Sequence, residues 1–215
     1  MDDTEATRRA LDAAEHLFYR HGLRAVGMDR IRAASGVSLK RLYQCFPSKD
    51  DLIEAYLRRR DERWTQSLHA HVDASGTDPQ ARLDAVFDWL EGWFAEPDFR
   101  GCAFLNATGE MGDVHPGVAR TTRRHKQRLR DYLVSLVRGT GHPAPEPVGA
   151  QLLLLVEGAI VTAAVEDSVE PARQAAEAAR ALLAATSGAH NAKSADTADN
   201  ADTAKDDAAS AAATH

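Results

Sequence analysis

The chain has 215 residues, 44% of them hydrophobic and 27% charged, with a formal net charge of −6. That is an ordinary globular composition with room for one large domain or two small ones, and two cysteines, Cys45 and Cys102, exclude a disulfide framework and fit a reducing cytoplasm. Glu157 interrupts the most apolar run, QLLLLVEGAIVTAAV, short of the roughly 18 residues of a membrane span, and the charged start MDDTEATRRALDAAE lacks the apolar core of a secretory signal, so a cytoplasmic protein away from membranes is expected.

Strand signals are nearly absent, and the chain reads as about nine helices in an all-α fold. Leu11, Ala14, Leu17 and Phe18 form the first helical stripe, which Gly22 closes. A short helix is expected over about Met28 to Ser35, a turn at Gly36, and a second short helix over about Leu39 to Cys45 with Ser38 as its N-cap. Ser48-Lys49-Asp50-Asp51 has the form of a capping box with Asp in the Glu position, opening a long helix whose stripe is Ile53, Tyr56, Leu57, Trp64 and Leu68. Further helices are expected over about 79–95, 99–111, 116–139, 146–167 and 170–186, separated by connectors that each carry Pro or Gly. From about Gly188 the chain has no aromatic and no large aliphatic residue, which predicts a disordered tail over 188–215.

Charge is unevenly distributed. Residues 21–60 hold nine Lys/Arg against four Asp/Glu, a local +5, which leaves −11 for the rest of a chain whose total is −6. A basic patch on an acidic protein points to one anionic partner docking in one place. Two short helices joined at a glycine and flanked by longer ones have the layout of a helix-turn-helix. On the second short helix Leu42, Cys45 and Phe46 share an apolar face, while Lys40, Tyr43 and Gln44 point the other way and Arg41 flanks them. Those exposed groups suit phosphates and base edges. Lys49 is unfavourable in the first turn of its helix unless a phosphate lies there.

GLRAVGMDRIRAASGVSLKRLYQCFPSKDDLIEAYL, residues 22–57, resembles the DNA-binding domain of TetR-type bacterial repressors, through Gly22, Ile31, Ala34, the Gly36-Val37-Ser38 turn, Leu42-Tyr43, Phe46, Ser48-Lys49 and Leu52. The resemblance implies that Lys40, Arg41, Tyr43 and Gln44 occupy recognition-helix positions and that Tyr43 and Lys49 meet phosphates. Leu39, Gly27 and Met28 complete the expected DNA-facing set, although Gly27 stands where Ser or Thr commonly caps the first short helix. It also implies a helical effector domain that binds a small molecule and dimerises through its last two helices.

The remainder of the chain gives partial support of its own. Rings are dense over residues 79–104, and an effector is expected among Trp89, Trp93, Phe104, Asn106, His125, Tyr132 and Glu157. LLLLVEGAIVTAAV is apolar nearly all round, and with ARQAAEAARALLAA it is expected to form a four-helix bundle between subunits, using Leu155, Gly158, Ala159, Thr162, Ala163, Ala179 and Leu182. No phosphate-binding glycine loop, nucleophile elbow, CxxC or HExxH occurs, so no cofactor, metal or catalytic residue is expected. The expectation is a DNA-binding domain over 1–47 and a ligand-binding and dimerisation domain over 48–187, forming a homodimeric repressor released from palindromic double-stranded DNA by an apolar or aromatic effector. The rival reading, a helical enzyme using the ring-lined pocket, explains nothing in residues 22–57.

Overall fold

The computed structural model describes residues 2–185, and among them it has nine helices and no strand. The expected tail over 188–215 lies outside the described residues.

Helix α1, Asp3–His21, begins where the Asp2 carboxylate accepts from the Glu5 N–H at 2.8 Å, and stops at Gly22, whose φ of 86° lies in the left-handed region. Its buried stripe is Ala6, Ala10, Ala14, Leu17 and Phe18. Leu11, expected on that stripe, is only partly buried, because the alanines set the inward face about one position away. Helices α2, Met28–Ser35, and α3, Leu39–Cys45, meet at Gly36, and Ser38 caps α3 by accepting from the Arg41 N–H at 3.3 Å. Leu23, Val26, Ile31, Val37 and Leu42 close the small core between these three helices.

Helix α4, Lys49–Ala74, starts on a formed capping box: the Ser48 hydroxyl accepts from the Asp51 N–H at 3.1 Å, and the Asp51 carboxylate accepts from the Ser48 N–H at 2.9 Å. The expected stripe is buried along its length, with Asp61 set into it between Leu57 and Trp64. Helix α5, Pro79–Phe94, follows under an Asp78 cap. Helix α6, Ala103–Met111, begins later than the expected residue 99. Gly101 has φ 74°, and the Tyr19 hydroxyl accepts from the Arg100 N–H at 2.8 Å and donates to the Gly101 carbonyl at 2.9 Å. Those main-chain groups find their partners on α1, so the loop has no need to wind into a helix there.

Helices α7, Pro116–Gly139, and α8, Pro145–Glu166, form the most closely packed pair, and α9 occupies residues 170–185. Phe104, Leu90, Leu133, Leu152 and Ile160 fill the core that α5 to α8 share with α4. By length and composition α8 can cross a membrane, which the reading of Glu157 as an interruption overlooked. Its Leu152, Val156, Ile160 and Ala163 are nevertheless buried in the core, as for an interior helix of a folded domain. On its other side Leu154, Val161 and Val165 form an exposed apolar stripe, at 71%, 49% and 81% exposure.

Gly149 lets α8 approach α7 closely: a Cβ there would lie 2.8 and 2.9 Å from main-chain atoms of Val134. Gly149→Ala therefore forces the helices apart and should cost about 1–3 kcal/mol. Gly92→Ala, on an exposed turn of α5 where a Cβ meets nothing within 4 Å, should instead stabilise by about 0.5–1 kcal/mol. Urea unfolding of the two variants checks both signs.

Candidate nucleic-acid interface and effector cavity

On α3, Lys40, Tyr43 and Gln44 are exposed, while Leu42 and Phe46 are buried beneath them and Cys45 is partly buried. Leu39, at the helix start, is 36% exposed. Arg41 is partly buried, paired with Asp3 of α1, and donates to the Gln44 side-chain oxygen at 3.1 Å, so one guanidinium braces the helix from behind. Lys49 reaches back across the start of α4 to the Arg24 carbonyl at 3.5 Å. Burial holds its ammonium below the ordinary range, against the opposing pull of Asp50 and Glu110. Gly27 caps α2 without a side-chain hydrogen bond, and a Cβ there meets nothing within 4 Å, so nothing steric excludes a hydroxyl. Met28 is corrected: its side chain is buried in the small core, leaving only its main chain for an anion.

The second constellation surrounds His125 on α7. Its imidazole is stacked on Phe104, with centroids 3.8 Å apart, and meets the Trp64 ring edge-on at 5.1 Å. Nδ1 lies 2.7 Å from Asp61 Oδ1, and Arg128 donates to the other carboxylate oxygen at 2.7 Å. Burial pushes the imidazole below its ordinary pKa, although Asp61 pulls the other way. Burial also works against the Asp61 carboxylate, yet the hydrogen bond from His125 and the charge of Arg128 hold its pKa below the ordinary value. We therefore assign a neutral His125 donating from Nδ1 to an ionised Asp61 that Arg128 neutralises. Beside them Lys126 binds both Glu157 oxygens, at 2.6 and 2.7 Å, and donates to Cys102 Sγ at 3.3 Å.

Of the seven residues expected around an effector, Trp93, Phe104, His125 and Glu157 line one cavity with Trp64. The other three lie elsewhere. Trp89 packs over Trp64 and donates to Ser67 at 3.0 Å. Asn106 donates to the Arg100 carbonyl at 2.9 Å, and Tyr132 stacks on His69. Helical periodicity gives the face of each helix but not the rotation of one helix against the next, and so it spread these residues too widely. The cavity itself is nearly closed, about 10 Å³, at the lower limit for one water. Asp61, Arg128 and Lys126 were missed, though a carboxylate in the Leu57–Trp64 stripe of α4 was a visible signal for the first.

Polar contacts also run from α6 and the loop before it to the N-terminal helices. Glu110, on α6, accepts from the Arg24 N–H at 2.9 Å and sits against Gly22, where a Cβ would come within 2.9 Å of it. Tyr19 holds the 100–101 loop as described above. Among the expected interface residues, Ala159, Ala163 and Ala179 are corrected: they are buried inside this protomer and have no surface to offer a partner. Leu155, Thr162 and Leu182 are partly buried and Gly158 is exposed.

Residues 10–56 match the family described as bacterial regulatory proteins, tetR family, and residues 79–182 match the tetracyclin repressor-like C-terminal domain. A crystal structure of a TetR-family transcriptional regulator from Streptomyces coelicolor superposes with a TM-score of 0.79 at 33% identity, over 85% of this chain and 90% of that one. The chain belongs to the TetR family. It is a DNA-binding transcriptional regulator, with an N-terminal helix-turn-helix domain and a helical C-terminal domain. A putative TetR regulator from Streptomyces avermitilis is 28% identical with a TM-score of 0.66, over 81% of this chain and 98% of that one. An uncharacterised HTH-type regulator of Mycobacterium tuberculosis is 36% identical over 36% of this chain, and the match spans only 38% of that relative's length. The repressor ComR of Escherichia coli is 27% identical over 56% of this chain and 59% of its own. Within the TetR fold, the buried Asp61–His125 pair joins α4 to α7.

The pair carries a pH dependence whose sign is set by the imidazole. An unfolded His125 takes up its proton near 6.5 and the folded one only at lower pH, so below about pH 7 the unfolded state binds more protons and stability falls as pH falls. The slope contributed is at most about 1.4 kcal/mol per pH unit. His125→Gln, which keeps a donor for Asp61, should unfold in urea with a visibly flatter loss between about pH 7.5 and 5.5; parallel curves for the two proteins contradict the assignment.

Proposed function

We propose that the protein is a homodimeric cytoplasmic repressor that leaves a palindromic operator when a small apolar or aromatic effector enters the cavity beneath His125. The observation that carries this reading is the continuity of α4. One rigid helix holds Lys49 at its first turn and Trp64 at the cavity wall, about 22 Å away at the α-helical rise. An effector weakens operator binding only by preferring a conformation that binds DNA less well. A cavity of about 10 Å³ admits no organic molecule, so any occupant must select an opened form in which Trp64, Trp93 or Phe104 has moved. Trp64 is carried on α4, so an opening that displaces its backbone moves that helix, and the Glu110–Arg24 and Tyr19–Gly101 contacts carry displacements of α6 and its leading loop to the same DNA-binding helices.

For DNA, Lys40 and Gln44 are assigned to base edges and Tyr43 and Lys49 to phosphates, with Arg41 and Leu39 supporting α3. Lys49→Ala should weaken binding to all sequences alike and reduce the slope of log affinity against log salt by about one, whereas Gln44→Ala should relax preference at one base pair at a cost of about 1–3 kcal/mol. Selection from random DNA and titrations at several salt concentrations separate the two outcomes. Unchanged sequence preference in both Lys40→Ala and Gln44→Ala removes the recognition-helix assignment.

The dimer is assigned to the outward stripe of α8, Leu154, Gly158, Val161 and Val165, together with α9. This stripe is apolar and exposed in the single chain, and a second copy supplies the matching surface around a two-fold axis. Val165→Asp places an unpaired charge there in both subunits and should yield monomers in light scattering, with collapse of operator affinity and retained helicity. A dimeric variant places the interface elsewhere. The effector arm is tested by tryptophan quenching with and without operator: a coupling of about 1–3 kcal/mol lowers ligand affinity 5- to 150-fold on DNA, and equal affinities mark a passenger.

A further inference from the structure

A second cavity, of about 250 Å³, opens between α1, α4 and the loop before α6. Its walls carry five arginines, Arg20, Arg59, Arg60, Arg63 and Arg100, against three acids, Asp12, Glu15 and Asp98. The acids do not satisfy the cations. Arg59, Arg60 and Arg63 all converge on the single carboxylate of Glu15, at 3.1, 3.5 and 2.7 Å, and Asp12 offers Arg59 a second partner. Arg100 is left donating to the main-chain oxygen of Phe99 at 2.6 Å, and Arg20 has no ion pair among the described residues.

Arg20, Arg63 and Arg100 are exposed at the mouth of the cavity, and Arg59 and Arg60 lie beneath them. Arg59 and Arg60 side chains are only 17% and 18% exposed, and the Arg59 Nε is buried with no hydrogen-bond partner. A buried donor without an acceptor costs free energy, and the exposed arginines above it outnumber the carboxylates within reach. An oxyanion supplies the missing acceptors, because guanidinium forks match phosphate and carboxylate oxygens in pairs. Tyr19 adds an apolar floor, with the Arg60 guanidinium 4.3 Å above its ring centroid.

We propose that this cavity binds a small organic anion, a phosphate monoester or a di- or tricarboxylate, through Arg20, Arg63 and Arg100 with Arg59 and Arg60 beneath. The site is separate from the apolar cavity of the proposed effector, but the two share Arg60 in their walls. It also joins α1 of the DNA-binding domain to α4 and to the loop that Tyr19 holds, so its occupant ties together the elements that must shift for operator release.

The test uses the full-length protein without DNA, so that its failure leaves the reading of the apolar cavity standing. Inorganic phosphate, phosphoglycolate and citrate are titrated by calorimetry at an ionic strength fixed with potassium chloride. The expected result is one anion per protomer for at least one probe, and the probe that binds names phosphate or carboxylate as the source. Arg20→Ala/Arg100→Ala should weaken that binding at least tenfold, while Arg123→Ala, an exposed arginine on α7, leaves it unchanged. If the double variant loses its cooperative thermal transition, Arg63→Gln, whose side chain is 57% exposed, takes its place with the same expected loss. Heats equal to those of added chloride for every probe, or equal affinity in wild type and the arginine variants, overturn the proposal.

Discussion

A carboxylate in the interior of a helical protein survives ionised only where its partners are fixed, and Asp61 is such a carboxylate. His125 and Arg128 bind its two oxygens from one face of α7, which ties α4 to α7 at a single register. Slippage by one turn leaves a buried charge without a counter-charge, a penalty of several kcal/mol. From that register the rest follows. Trp64, one turn beyond Asp61, meets the His125 ring, Phe104 covers that ring's other surface, and α6 is placed by Phe104. The end of α6 in turn brings Glu110 to the turn that leads into α2.

This arrangement makes α4 an arm held at its middle. Its first turn follows α3 and its second half lies in the core of α5 to α8, so the ion pair at Asp61 acts as a clamp between them. Closely packed interiors switch between discrete arrangements and do not bend continuously. A closed aromatic cavity next to the clamp suits that behaviour, since small displacements are resisted until the rings rearrange together.

The helix-turn-helix was almost wholly legible from residues. Its caps and turns are local: Ser38, Gly36 and the Ser48–Asp51 box each act within four residues, and a seven-residue helix has only one face to choose. The C-terminal half was legible in its elements and not in its arrangement. Which of Trp89, Asn106 and Tyr132 faces the cavity depends on helix rotations set by distant contacts such as Gly149 against Val134. The small residues of α8 were misplaced for a related reason. A helix apolar all round was expected to bury its small residues against a partner, but Ala159 and Ala163 are buried within this protomer, and the larger Leu154 and Val165 are exposed. The start of α6 could not be read locally at all, because its missing turn is supplied by Tyr19.

That tyrosine bond has a consequence for synthesis. Its hydroxyl and the main-chain groups it serves are 81 and 82 positions apart. At about 5–20 residues per second, roughly 4–16 s pass between the emergence of α1 and that of its docking loop. For that interval the three N-terminal helices exist beside an unfinished chain, with the Tyr19 hydroxyl without its loop partners. Their alanine-lined core must hold by itself on the ribosome. The order of emergence therefore selects a DNA-binding unit that condenses early, and a C-terminal half that adapts to a surface already formed.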